Sequence, residues 1–219
     1  MYDVAVNMIV RNGEDSIAAC LETILPRVKK AIVLIDDTST DSTSAIVHRL
    51  SKKWDNLEVK WYPVREPLID VVAMRNAALE LIKEKWVWIV DSDEYYPEDT
   101  VWQIALADDC DVYTFQCWAV WNKQKAHCSS SKPRIPRIFR NDGRRWEGKF
   151  GKERLVRPTD RIKDLPLRYI HLTHVKNETW RKEFRMERVA DGKHLIPMPL
   201  EAVKTVKQLY ASMPNLRER

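Results

Sequence analysis

The chemistry-bearing residues of this chain concentrate in two acidic clusters. Asp91-Ser92-Asp93-Glu94 directly follows the apolar run Trp86 to Val90. In extended backbone, side chains two apart share a side, so Asp91 and Asp93 present their carboxylates together. Paired hard oxygen ligands suit Mn²⁺ or Mg²⁺, an ion that also bridges phosphates. A bare Asp-x-Asp is more often a polar turn capping a helix; the preceding buried-type strand shifts the balance to a metal site. The second cluster, Asp36-Asp37-Thr38-Ser39-Thr40-Asp41-Ser42-Thr43, follows the run Ala31 to Ile35. Capping the next helix needs one residue of the Thr40 to Ser42 stretch. That leaves Asp36 or Asp37 to accept hydrogen bonds from a base or ribose at a strand end.

Both clusters need elements that hold them. The spacing predicts strands at Val4 to Val10, Ala31 to Ile35, Leu57 to Trp61 and Trp86 to Val90. Between them, helical periods run over Ile17 to Leu25, Thr43 to Leu50 and Val71 to Ile82. Strands alternating with helices imply βαβ units and a mostly parallel sheet flanked by helices, an α/β fold. After a short helix near Pro97 to Leu106, the pattern changes. Strands are expected at Val112 to Val120, Arg134 to Arg140, Leu155 to Arg157 and Leu167 to Val175, with a polar loop from Asn122 to Lys132. Glu178 to Val189 and Leu200 to Met213 read as closing helices. Without repeats or a long linker, residues 1–219 form one domain, with a binding half at 1–110 and a smaller β/helical half at 111–219.

The chain has 219 residues, 44% of them hydrophobic, as one sizeable core requires. Apolar runs stop at about five residues, against the ~20 that span a bilayer, so no transmembrane segment is expected. The start MYDVAV carries neither the basic nor the apolar region of a secretory signal. Cys20, Cys110, Cys117 and Cys128 show no zinc or C-x-x-C spacing and read as reduced, packed thiols. Together these point to a soluble, cytoplasmic protein. Its net charge of +5 is unevenly placed: residues 1–100 hold 12 Lys/Arg and 18 Asp/Glu, so residues 101–219 hold the remaining 25 and 14. The second half is therefore suited to an anionic partner, unless its charge is merely a solvated face.

Four stretches together resemble the family 2 glycosyltransferases, whose fold is the Rossmann-like glycosyltransferase A type. They are Val6 to Glu14, Asp36 to Thr43, Met74-Arg75-Asn76-Ala77-Ala78-Leu79, and Trp86 to Glu94. The resemblance implies a nucleotide-sugar donor, usually a uridine diphosphate sugar. Its base would lie near Ile9, Arg11 and Asp36 or Asp37, with Asn12 and Glu14 in the same donor-binding stretch. Arg75, with Asn76 beside it, would lie near the diphosphate, and Asp91, Ser92 and Asp93 would hold the donor and its metal.

In the second half, Arg134 to Asn141 and then Trp146-Glu147-Gly148 look like the family's basic and aromatic run before a Gly-x-x-His-Glu segment. Here that segment reads Gly148-Lys149-Phe150-Gly151-Lys152-Glu153, without the histidine and one residue longer. Glu153 best matches the family's catalytic base, with Glu147 as the alternative. His171 and His174 resemble the family's late histidine, which can complete the metal shell. Three residues apart on a strand they face opposite ways, so one is expected at the metal, with His174 slightly favoured.

The implied reaction is metal-dependent, inverting transfer of a sugar to an acceptor hydroxyl, with a carboxylate as base. A nucleotidyltransferase would use the same strand-end aspartates, but the chain lacks a glycine-rich phosphate loop. A non-catalytic nucleic-acid-binding module would use the basic half alone. Between Lys132 and Arg188 stand 18 Lys/Arg against 8 Asp/Glu, with Trp146 and Trp180 among them. That favours a polyanionic acceptor: DNA with hydroxymethylated bases first, a cell-surface or lipid-linked glycan second. The sugar and the oligomeric state have no signal in the sequence.

Overall fold

The structure is a computed structural model that describes residues 2–63, 70–97, 106, 109–120, 123–128, 136–148, 153–156, 161–172, 196–198 and 200–213. The first half supplies β1 (Tyr2–Val10), α1 (Ile17–Ile24), β2 (Val28–Asp36), α2 (Thr43–Ser51), β3 (Leu57–Tyr62), α3 (Val71–Glu80) and β4 (Trp86–Ile89). Strands β3, β2, β1 and β4 lie side by side and all parallel. Alternation along β1 sets the two layers. Val4, Val6, Met8 and Val10 join Ile17 and Leu21 of α1 and Val47 of α2 in one core. Ala5 and Ile9 join Met74, Ala78 and Leu79 of α3 in the other. All four residues of β4 are buried, and fully burying one such side chain stabilises by about 1.5–3 kcal/mol. Asp70 caps α3 by accepting from the Ala73 amide at 2.9 Å.

The second half extends the same sheet with antiparallel pairing. Strand β8 (Pro136–Arg140) runs against β4, and β6 (Val112–Val120) against β8. Strand β7 (Lys125–Cys128) folds back on β6, and β12 (Ile196–Pro197) pairs with β7. Along β6 also runs β11 (Ile162–His171), parallel to it, whose last residues pair with the two-residue β5 (Glu94–Tyr95). A separate hairpin is formed by β9 (Arg145–Glu147) and β10 (Arg154–Val156). Helix α4 (Leu200–Ser212) packs Val206 and Leu209 against Trp118, Val120, Ile170 and Leu172.

The expected α/β fold with a mostly parallel donor-side sheet is present. The segment expected as a polar loop, Asn122 to Lys132, instead contains β7, whose turn back onto β6 overrides its polar composition. The strand expected at Leu167 to Val175 starts earlier, at Ile162, because β6 offers a full-length edge to pair with. The short strands β5, β9 and β12 carry too few residues to show a period. Most of the helix expected at Pro97 to Leu106, and all of that at Glu178 to Val189, lie outside the described residues. Cys20, Cys110 and Cys117 are buried thiols outside any disulfide.

Candidate active site

The site forms where the parallel strands end. Register places Asn7 of β1 opposite Ile89 of β4, so Asp91 to Glu94 emerge just past the sheet. Asn7 interrupts an apolar strand and is fully buried on the α3 face. Its side-chain amide donates to the Arg75 carbonyl at 2.9 Å, and its own carbonyl accepts from the Arg75 guanidinium at 2.6 Å. So fixed, Arg75 reaches Asp91 Oδ1 with its other terminal nitrogen. Arg137 of β8 approaches Asp91 Oδ2 at 3.4 Å from the opposite side. Two buried guanidiniums, 5% and 3% exposed, thus flank one carboxylate. Burial opposes the charged form of Asp91, yet Arg75 and Arg137 hold its carboxyl below the usual range.

Glu94 ties the Asp91 loop down. Its Oε1 meets Arg137 at 2.6 Å, and its Oε2 accepts from the Tyr96 hydroxyl at 2.7 Å and the Asp91 amide at 3.1 Å. Burial pushes the Glu94 carboxyl up to about 7, against the pull of Arg137. Arg137 also donates to the Tyr169 hydroxyl and lies over that ring, 4.6 Å from its centroid. Tyr169 stacks on Tyr96 at 5.4 Å, and Tyr96 meets Trp88 edge-on at 4.7 Å. Glu94 and Arg137 thus join the Asp91 cluster, although neither is a candidate site residue by sequence alone. Arg137 sits within an otherwise apolar Ile-Pro-Arg-Ile-Phe run, which is the signal for it.

The far wall comes from β11. His171 pairs with Glu94 across the β5 register, and the Leu172 amide donates to the Asp93 carbonyl at 2.9 Å. That zipper brings the His171 Nε2 to 3.3 Å from Asp93 Oδ1. Burial alone would depress the imidazole, but the Asp93 carboxylate outweighs it and raises His171 well above its ordinary value. Of the two histidines, His171 is therefore beside the aspartates, and His174 lies outside the described residues.

These residues fit a divalent metal. Ligand atoms of Asp91, Glu94 and His171 lie within 4.8 Å of one another, and Asp93 already touches His171. Glu94 is the least available of them, because both of its oxygens are engaged and the side chain is fully buried. Asp91 and His171 are the more available of the three, and Asp93, 3.3 Å from His171 Nε2, could add a further carboxylate oxygen.

The donor-side loops are cross-braced. Asp36 is buried and accepts from the Thr38 amide at 2.8 Å and hydroxyl at 2.6 Å, while its Oδ2 lies 4.0 Å from Arg11 Nε. Asp37 is exposed. Ile9 packs in the α3-side core at the end of β1. Asn12, at a φ of 50°, accepts from the Thr40 amide at 2.9 Å, a left-handed conformation that Asn tolerates. Glu14 accepts from the Ser42 amide at 2.9 Å, and Asp41 from the Thr43 amide at 2.9 Å, so these two carboxylates serve the start of α2. Gly13 passes so close to the Asp91 loop that a Cβ there would meet Ser92 Oγ at 3.1 Å and Val10 Cγ2 at 2.7 Å. Asn12 and Glu14 thereby brace the loop between β2 and α2, and Ser92 is buried beside Gly13.

The candidate bases belong to the β9–β10 hairpin. Glu147 is exposed and pairs across the hairpin with Arg154 at 3.7 Å; Glu153 immediately precedes β10. Gly148, at a φ of 108°, turns the chain out of β9. Asn76, next to Arg75 on α3, hydrogen-bonds the Trp146 backbone in this hairpin.

At the end of β4, Arg75 and Arg137 flank Asp91 and His171 meets Asp93, an arrangement of charges able to hold a phosphate group and a cation. Residues 5–151 match Glycosyl transferase family 2, and the chain belongs to that family. A poly(ribitol-phosphate) beta-glucosyltransferase of Bacillus spizizenii is 32% identical over 96 residues, 42% of this chain. That stretch is only 15% of the relative's length. Among solved structures, S. aureus TarS 1–349 in complex with UDP is 20% identical, with a TM-score of 0.57, covering 97% of this chain and 70% of that one. The mannosyltransferase PcManGT from Pyrobaculum calidifontis, in complex with GDP-Man and Mn²⁺, is 15% identical with a TM-score of 0.54, covering 97% and 71%. These likenesses establish the glycosyltransferase A-type fold. Among the described residues, no helix is long and apolar enough to cross a membrane.

Proposed function

We propose that this chain transfers a sugar, with inversion, from a uridine diphosphate sugar to a hydroxyl of a polyanionic, phosphodiester-linked acceptor. The observation that carries this reading is the Arg75–Asp91–Arg137 arrangement beside Asp93 and His171. Asp93 and His171, with Asp91, would hold Mn²⁺ or Mg²⁺, which supplies Lewis-acid stabilisation of a departing diphosphate. Arg75 and Arg137 offer fixed positive charge for the same leaving group. Asp36 or Asp37, with Ile9 and Arg11, would receive the base. Glu153, with Glu147 as the alternative, would take the proton from the acceptor hydroxyl as it attacks the anomeric carbon. Three buried cysteines outside any disulfide accord with a reducing, cytoplasmic setting.

Charge alone suggested DNA as acceptor, and the relative's acceptor, named poly(ribitol-phosphate), supports a phosphodiester-linked glycan instead. Both polymers present phosphates at regular spacing to a basic half. The test is release of UDP from a panel of UDP-sugars with Mn²⁺, offered poly(ribitol phosphate) or ~20-base-pair DNA with and without hydroxymethylated bases. Turnover with the ribitol polymer, falling steeply as salt rises, is expected. Turnover only with hydroxymethylated DNA would reverse the acceptor assignment; no UDP release with any pair would defeat the transferase reading.

A further inference from the structure

Asn76 stands one residue from Arg75 yet faces a different structure. Its side-chain amide donates to the Trp146 carbonyl at 2.9 Å, and its side-chain carbonyl accepts from the Trp146 amide at 2.8 Å. A side-chain amide that pairs with both polar groups of one residue imitates the rung of a β-ladder. Trp146 is the middle residue of β9, and β9 has β10 on one side. Asn76 therefore occupies its other edge. The Trp146 ring is buried in the α3-side core, edge-on to Phe139 at 6.3 Å. A two-stranded hairpin is marginal alone, so these attachments fix where it sits.

We infer that Asn76 is a positioning residue that holds the β9–β10 hairpin, and with it the acceptor-activating carboxylate, at a set distance from the diphosphate-binding Arg75. This rests on the proposed transferase reading for its consequence, but not for the contact. Adjacent residues of α3 thus address the two substrates: Arg75 is locked to Asn7 and Asp91, while Asn76 is locked to the strand that leads into the Glu147 to Glu153 connection. In bimolecular transfer, the base must lie within hydrogen-bond reach of the attacking hydroxyl, and a misplacement near 1 Å costs on the order of 10²-fold in rate.

The test pairs three readouts on Asn76→Ala and on Asn76→Asp, which keeps the volume and the acceptor for the Trp146 amide. They are hydrogen exchange of the Trp146 amide, UDP affinity in Mn²⁺, and kcat and KM for the donor–acceptor pair found above. In Asn76→Ala the Trp146 amide should lose protection and kcat should fall about 10²-fold, with UDP affinity and donor KM within about twofold of wild type. Asn76→Asp should retain part of the protection and part of the rate. The clamp is refuted if Trp146 exchanges freely while kcat is unchanged, or if UDP affinity and kcat fall together as in simple unfolding. Should Asn76→Ala not fold, the same comparison on Asn76→Asp decides. Failure of the wild type to bind UDP strikes the donor reading instead, and leaves the exchange result to judge the contact.

Discussion

The two halves of this molecule meet along β4 and β8 and around Asp91 to Glu94, and are built on opposite rules. The first half is a parallel sheet with both faces covered by helices, so its strands are nearly continuous apolar runs and polar residues collect at their ends. The second half is largely antiparallel, with strands of two to ten residues and buried charged side chains such as Arg137 of β8 inside it. One half makes a site by leaving aspartates where the sheet stops. The other completes it by sending Arg137 and His171 back across the seam to Asp91, Glu94 and Asp93. The strand-end carboxylates are thus placed by backbone topology, whereas the charges that meet them arrive through long-range ion pairs. Those are individually removable, which makes the contrast testable.

The largest effect should come from the hairpin of the second half. Glu153→Gln should leave UDP affinity intact and lower the transfer rate by about 10²–10⁴-fold, the usual contribution of a general base. Rate measurements on Glu147→Gln should stay within a few-fold of wild type; the reverse ranking would move the base to Glu147. Next, Arg137→Leu removes the residue that joins the halves and leaves Glu94 buried without its ionic partner. A loss of about 3–5 kcal/mol in denaturant unfolding is expected. Adding Glu94→Gln to Arg137→Leu should recover part of it, and strict additivity of the two changes would show that the pair is not coupled.

A first-half change should cost less. Gly13→Ala pushes a methyl group against Val10 and Ser92, and overpacking of this kind costs about 1–3 kcal/mol, read from the shift in unfolding midpoint. The smallest effect concerns Asp111, which accepts from the Arg161 backbone and guanidinium and also approaches Arg140, tying β11 and β8 to the start of β6. The Arg161 hydrogen bonds hold its carboxyl well below the usual range. A depressed carboxylate contributes stability that is present above its unfolded value, 3.8, and is lost as pH falls through the folded one. The difference in melting temperature between wild type and Asp111→Asn should therefore be a few degrees or less at pH 7 and shrink below about pH 4. A difference that widens on acidification would contradict the assignment.

The contrast between halves also explains what the sequence shows and hides. The runs at Ala31 to Ile35 and Trp86 to Val90 announce strands buried on both faces, and the acidic clusters that follow them announce a site at strand ends. Asn7 lies inside the run Val4 to Val10 with nothing to mark it out, because its role needs the position of Arg75, 68 residues away. Arg137 and Glu94 escape because ion pairing between distant segments leaves no period in either one. Strand β7 escapes because its pairing with β6, rather than its composition, makes it a strand. Asn12 and Glu14 stand in the donor-like stretch, yet their polar atoms brace the β2–α2 loop, a local use that spacing alone does not separate from ligand binding. Spacing alone slightly favours His174, whereas the register of β11 with β5 places His171 opposite Glu94; His174 lies outside the described residues.

One calorimetric titration tests the proposed metal–diphosphate site most directly: UDP into the wild-type protein and into Asp93→Ala, each with Mn²⁺ and with EDTA. Wild type should bind UDP at least tenfold more tightly with Mn²⁺, and Asp93→Ala should lose that difference while melting within a few degrees of wild type. Equal UDP affinity in Mn²⁺ and EDTA, or an undiminished Mn²⁺ effect in Asp93→Ala, would contradict a metal–diphosphate site at the end of β4.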